Sequence, residues 1–144
     1  MLIGEYVHSI DTKKRLSIPA KFRKEIGKRG VLTRGLDRSL FLYPQAEWEQ
    51  IAEKLSRLPA GQASTRGFVR LMLAGALDVE IDSLGRILVP DYLKEYAGIG
   101  ESAVITGVYN RLEIWDERVW NEYKARIEKE ASDIAEKLGE VGAF

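Results

Sequence analysis

Short runs of alternating hydrophobic and polar positions dominate this chain, and in three places they give way to a helical period. Alternation in Tyr6-Val-His-Ser-Ile10 and the apolar-rich Leu77-Asp-Val-Glu-Ile81 predict strands. Turns of the form Asp-Thr-Lys-Lys and Asp-Ser-Leu-Gly follow, with aspartates suited to accept turn N–H groups. Strands resume at Arg15-Leu-Ser-Ile18 and Arg86-Ile-Leu-Val89, and Pro19 and Pro90 end them because proline cannot donate a ladder hydrogen bond. Both prolines also suit the first turn of a helix, predicting short helices over Ala20–Ile26 and Asp91–Ala97, closed by Gly27 and Gly98 as left-handed C-caps. A second set of strands is predicted at Val31–Arg34, Leu40–Tyr43, Ala103–Gly107 and Leu112–Trp115. Helical spacing of Trp48, Ile51, Ala52 and Leu55 predicts a helix over Pro44–Leu58, ended by Pro59-Ala-Gly. Phe68, Leu71 and Met72 predict another over Ser64–Leu73. Val119, Trp120, Tyr123, Ile127, Ile134 and Leu138 predict a long amphipathic helix over Asp116–Leu138, with Gly139–Phe144 frayed.

The pattern occurs twice. An offset of 71 aligns residues 2–27 with 73–98 and pairs Gly4 with Gly75, Asp11 with Asp82, Arg15 with Arg86, Pro19 with Pro90 and Gly27 with Gly98. One extra residue later, an offset of 72 pairs Gly35 with Gly107, Leu40 with Leu112, Tyr43 with Trp115 and Trp48 with Trp120. Matches that keep one order over nearly fifty residues and include tryptophan mark an internal duplication. Two copies are too few for a solenoid, so the expectation is two halves of one body. The predicted division is a first repeat at 5–47, connecting helices at 48–75, a second repeat at 76–119 and a C-terminal helix at 120–144.

Composition narrows the function classes. The 144 residues include no Cys and one His, which removes thiol catalysis, disulfide scaffolds, Cys-ligated metals and His-rich zinc sites. No apolar run spans a bilayer, and the opening MLIGEYVHSID lacks the features of a signal peptide, so a cytoplasmic protein without membrane contact is expected. Lys+Arg and Asp+Glu number 22 each, and a net charge of zero argues against a nucleic-acid partner. Its distribution argues the other way. Residues 1–43 hold ten bases against four acids, while 44–100 carry a surplus of two acids and 101–144 a surplus of four. A field follows where charges sit, so a neutral chain can present a basic face.

The Asp-x-x-x-Arg turn, kept in both copies, is the chemical focus. Asp11 and Arg15, like Asp82 and Arg86, can pair simply to stabilise a turn. Compatible with that is a turn that projects Arg15 and Arg86 outward, with Lys13 and Lys14 beside the first. Arginine's planar fork fits phosphate oxygens and the major-groove edge of guanine, and the aspartate would aim it. Two pseudo-symmetric Asp-Thr and Asp-Ser pairs also suggest the carboxylate dyad of aspartic proteases. However, Lys13 and Leu84 stand where those sites need Gly, and the Lys-Lys-Arg run would hold Asp11 ionised. His8 has no partner motif, and Gly98-Ile-Gly100 lacks the rest of a nucleotide-binding loop. Trp48, Trp115, Trp120 and Phe68 have the spacing of core or interface residues.

Asp82-Ser-Leu-Gly-Arg-Ile-Leu-Val-Pro-Asp-Tyr-Leu-Lys-Glu-Tyr-Ala-Gly-Ile-Gly100 resembles the signature of AbrB-type swapped-hairpin DNA-binding domains. With a second such unit opening the chain through Asp11-Thr-Lys-Lys-Arg-Leu-Ser-Ile-Pro-Ala-Lys-Phe-Arg23, the whole sequence is similar to the MraZ family. The resemblance implies an α+β fold: a pseudo-two-fold swapped-hairpin, double-psi-like β-barrel from two tandem repeats, flanked by amphipathic helices. It implies a nucleoid-associated transcriptional regulator, chiefly a repressor, of the division and cell-wall gene cluster. It further implies a ring-shaped homo-oligomer on direct repeats of double-stranded promoter DNA, with no cofactor, no small-molecule substrate and no enzymatic activity. The family's DNA-contacting motif falls on Asp11, Arg15, Asp82 and Arg86, with Lys13 and Lys14 adding charge. Lys14 departs from the AbrB signature, which has Gly there, as Gly85 does in the second copy. The alternative is a protein-interaction or antitoxin-like assembly module on the same barrel.

Overall fold

The computed structural model describes residues 1–144. In chain order the elements are β1 (Leu2–Ser9), β2 (Arg15–Ser17), α1 (Ala20–Ile26), β3 (Arg29–Arg34), β4 (Leu40–Pro44), α2 (Gln45–Ser56) and α3 (Ala63–Ala74). The second repeat gives β5 (Leu77–Glu80), β6 (Arg86–Leu88), α4 (Asp91–Tyr96), β7 (Ser102–Tyr109), β8 (Leu112–Asp116) and α5 (Glu117–Glu140). Every element anticipated from the hydrophobic pattern is present, with ends shifted by a few residues. The largest shift is in β1, which starts at Leu2 instead of Tyr6 because β7 is long enough to pair with eight residues. Gly4, at φ +108, breaks the local alternation yet stays in the ladder opposite Gly107. A Cβ at Gly107 would lie 2.6 Å from the backbone of Leu2 and Ile3, so the strands meet there without side chains.

Six strands form one antiparallel sheet in the order β1-β7-β8-β4-β3-β5, and β2 pairs with β6 in a separate ribbon. The first strand of each repeat pairs with the third strand of the other, β1 with β7 and β5 with β3. The two halves meet at β4 and β8, where Leu40 faces Ile114 and Leu42 faces Leu112. The large sheet remains open, with β1 and β5 as its edges, so the ladder does not close into the barrel expected from the sequence. The fold is mixed α+β, with five helices around a mostly antiparallel sheet.

The core lies between this sheet, the β2–β6 ribbon and helices α1 and α4. Equivalent positions fill it from both repeats: Leu16 with Ile87, Ile18 with Val89, Phe22 with Leu93 and Leu40 with Leu112, all buried. Full burial of such side chains is worth roughly 1.5–3 kcal/mol each before conformational entropy is counted. On the outer face of β3 and β4, Leu55 of α2 and Met72 of α3 cluster with Phe41 and Tyr43. On the outer face of β7 and β8, Trp120 and Tyr123 of α5 pack on Trp115, with ring centroids 5.2 and 5.0 Å away.

Glycine and proline punctuate the helices as their chemistry requires. Pro19 and Pro90 sit at the N-cap positions of α1 and α4. Gly27 closes α1 at φ +80 with ψ −149, outside the left-handed helical basin expected for it. In the second repeat the cap falls on Ala97, and Gly98 follows at φ +61. Of Gly139–Phe144, expected to fray, Gly139 and Glu140 still belong to α5, and the exposed remainder turns at Gly142, whose successor Ala143 donates to the Leu138 carbonyl. No helix is long and apolar enough to cross a membrane.

Candidate nucleic-acid interface

The two Asp-x-x-x-Arg turns are nearly superimposable in their hydrogen bonding. Asp11 Oδ1 accepts from the Lys13 and Arg15 amides, both at 2.9 Å, and its Oδ2 accepts from Arg15 Nε at 2.8 Å. Asp82 repeats the set with the Leu84 amide at 3.0 Å, the Arg86 amide at 2.9 Å and Arg86 Nε at 2.9 Å. Each turn is also closed by two backbone bonds: the aspartate amide donates to the arginine carbonyl, and the amide of Lys14 or Gly85 donates to the aspartate carbonyl. Three donors on one carboxylate favour its charged form. Both aspartates are held below the ordinary carboxylate value, first by the amide of the following arginine, against a smaller opposing cost of desolvation. Each carboxylate thus belongs to its own arginine. They share no proton, and the dyad needed for an aspartic protease is absent.

The aspartates engage only Nε, which leaves both terminal nitrogens of Arg15 and Arg86 without a protein hydrogen bond. A guanidinium held by one edge and open on the other is a preorganised fork for a phosphate or a base edge. The β2–β6 ribbon brings the two forks together. Arg15 pairs with Leu88, Leu16 with Ile87 and Ser17 with Arg86. Directly paired residues point to the same side, and so do residues two apart along a strand. Leu16 and Ile87 point into the core, so Arg15, Ser17, Arg86 and Leu88 occupy the outer side. Arg15 and Arg86 are diagonal neighbours there, about 7–8 Å apart at the backbone. Two turns 71 residues apart in the chain become one basic surface.

Lys13 is exposed at the tip of the first turn, whereas Lys14 is not free. Lys14 adopts φ +63, matching Gly85 at +80, and its Nζ reaches Asp91 Oδ2 at 2.7 Å across the boundary between the repeats. The second turn compensates for its missing lysine from elsewhere. A Cβ at Gly85 would overlap the guanidinium of Arg23, which α1 lays against that turn, and Arg23 Nε is buried without a hydrogen-bond partner. Arg23 therefore adds a charge beside the second turn from a helix of the first repeat. Its signal in the sequence was the pairing of Gly85 with Lys14, a side chain whose space something else must fill. His8 lies half-buried on β1, and no group of His, Asp or Glu side chains is placed to hold a metal ion. Trp48 packs on Tyr43 and Trp120 on Trp115, and none of the tryptophans lies on the β2–β6 ribbon.

A family model described as "MraZ protein, putative antitoxin-like" matches residues 1–71 and again residues 72–140. A transcriptional regulator MraZ of Caldanaerobacter subterraneus subsp. tengcongensis is 48% identical over 138 residues, covering 96% of each chain. The protein of the same name from Syntrophomonas wolfei is 46% identical over 142 residues, 99% of each chain. That from Carboxydothermus hydrogenoformans is 46% identical over 138 residues, 96% of each.

Proposed function

Since the chain belongs to the MraZ family, whose members are transcriptional regulators and not enzymes, we propose that it binds double-stranded promoter DNA through the outer side of the β2–β6 ribbon. The observation that carries this reading is the pairing of Ser17 with Arg86, which sets Arg15 and Arg86 side by side with their terminal nitrogens free. A two-stranded ribbon fits the major groove of B-DNA, and arginine is the residue best shaped to read guanine there. Arg15 and Arg86 contact bases or phosphates, Asp11 and Asp82 orient them, and Lys13 and Arg23 add phosphate contacts. Lys14 ties the first turn to α4 and contributes charge from there.

The finer reading follows the family likeness. The exchange of β1 and β5 between repeats at 5–47 and 76–119 supports a swapped-hairpin unit with pseudo-two-fold symmetry. The protein acts in the cytoplasm on the nucleoid, as a repressor of the division and cell-wall gene cluster. It binds direct repeats in that promoter as a ring-shaped homo-oligomer. One small subunit of zero net charge offers few phosphate contacts, and linked subunits add them.

Fluorescence anisotropy on DNA from upstream of its own gene tests the assignment. Arg15→Ala and Arg86→Ala each weaken specific binding by about 5- to 150-fold, the range for one lost bidentate base contact, while size and circular dichroism stay unchanged. Undiminished specific binding by both variants would mean that the ribbon is not the interface. The protein-binding alternative, which the antitoxin-like description of the family model favours, predicts a partner interaction that persists in both variants and is insensitive to salt.

A further inference from the structure

The two repeats treat their outer helices differently. By the internal alignment, Trp48 and Leu55 of α2 correspond to Trp120 and Ile127 of α5. In the first repeat the chain turns at Pro59 and α3 comes back to cover α2 with Met72 and Leu73. The second repeat has no counterpart of α3. Instead α5 runs on for 24 residues, about 36 Å, with no buried residue along its length. Its apolar side continues well past the contact with Trp115. Trp120, Ile127 and Ile134 recur every seven residues, with Leu138 beside them, and Ile134 and Leu138 are 37% and 40% exposed. A helical stripe of this regularity is built to lie against something.

A complementary surface exists at the corner between α2 and α3. A cavity of about 180 Å³ opens there, floored by Leu55, Leu58, Pro59 and Val69 and rimmed by Arg66 and Arg70. The charges of the two surfaces are opposite. Residues 54–77 contain Lys54, Arg57, Arg66 and Arg70 and no acid, and of these Arg57 is already paired with Glu53 of the preceding turn. Residues 128–140 contain Glu128, Glu130, Asp133, Glu136 and Glu140 against Lys129 and Lys137. Arg70 has no ion pair within the chain, and Arg66 bonds only the Ala60 carbonyl. Within one chain, α5 is committed to β7 and β8, so its distal half is free to meet a second molecule.

Resting on the self-assembly proposed above, we infer that the distal half of α5 docks into the α2–α3 corner of a second copy of this chain. Ile134 and Leu138 enter the apolar cavity, and Asp133, Glu136 and Glu140 meet Arg66 and Arg70. The two surfaces are different, so the contact is heterologous and joins subunits head to tail. Each subunit keeps one helix to give and one corner to receive, which leaves the β2–β6 ribbon uncovered.

The absence of native cysteine makes the test clean. Leu58→Cys and Leu138→Cys are introduced together, and the protein is treated with a short bismaleimide. Denaturing electrophoresis then shows a ladder of covalent dimers and higher species, while neither single variant goes beyond a dimer band. In a second arm, Arg66→Glu with Arg70→Glu raises the concentration needed for assembly at least tenfold by light scattering. Adding Glu136→Arg and Glu140→Arg restores it, an outcome that simple misfolding cannot produce. An assembled protein with no ladder, or one indifferent to the arginine reversal, overturns this interface and leaves the DNA reading intact. A wild-type chain that stays monomeric on its promoter DNA overturns self-assembly itself, and with it this inference.

Discussion

A carboxylate with three donors around it is the smallest unit on which the proposed function depends. Asp11 and Asp82 fix the turn through two backbone amides and aim the arginine through Nε, so one side chain performs both tasks. Replacing either with Asn keeps the shape but removes the charge that holds the guanidinium. Asp11→Asn and Asp82→Asn are therefore expected to weaken DNA binding several-fold with little change in fold, read by anisotropy beside circular dichroism. The same carboxylates make stability depend on pH. Their native values lie below the ordinary one, so the folded state favours the ionised form. That contribution is complete above the unfolded value of about 3.9, and it disappears as pH falls through the lower native value. Glu5 adds to the acid sensitivity, since hydrogen bonds from Trp120 and then Lys124 favour its charged form. Urea unfolding between neutral and acid pH should show a smaller acid loss in the Asp11→Asn, Asp82→Asn double variant than in the wild type. Equal losses in the two proteins would place the acid sensitivity elsewhere.

At the level of whole elements, turns and caps decide where each strand and helix begins. Asp116 caps α5 by accepting from the Val119 amide at 3.3 Å, and it also accepts from the Gly100 amide at 3.1 Å. Asp116→Ala is expected to cost about 0.5–2 kcal/mol, measurable as a lower urea midpoint at unchanged slope. Gly85 is the sharper case, because its φ of +80 is costly for any side chain and the space beside it holds Arg23. Gly85→Ala should lose about 1–3 kcal/mol and lower the Tm, whereas Gly61→Ala, with open space around its position, should leave it nearly unchanged. The local pattern carried most of this. Alternation located the strands, proline the starts of α1 and α4, and the repeated Asp-x-x-x-Arg the turns. It failed where the cause was distant. The first four residues of β1 alternate poorly around Gly4 and become a strand only because β7 lies beside them. The sequence also places Lys14 in the first turn, but its partner Asp91, 77 residues away, is visible only in the fold.

For the whole molecule, the decisive arrangement is the exchange of strands between repeats, and no local pattern contains it. The duplication was visible in the sequence, but that Arg86 would lie beside Ser17 follows only from the pairing of β2 with β6. In the proposed reading, this arrangement is also how a chain of zero net charge would bind DNA. The acids of residues 128–140 sit on α5, away from the ribbon, and the proposed contact between subunits would place them against the basic α2–α3 corner of a neighbour. Assembly would then neutralise part of the acidic surplus and leave the ribbons exposed, which raises affinity in two ways at once. The consequence is measurable in the response to salt and to the number of operator repeats. Each phosphate contacted contributes a slope of about −0.9 to log affinity against log salt, so an assembled protein on several direct repeats should show a steep slope. DNA with one repeat should bind about 10²- to 10⁴-fold more weakly than DNA with several and should show a proportionately shallower slope. Arg66→Glu with Arg70→Glu, which leaves the ribbon untouched, should collapse the difference between the two DNAs while sparing binding to the single repeat. If wild type binds one repeat as tightly as several, and with the same slope, each subunit acts alone and the charge distribution along the chain needs another explanation.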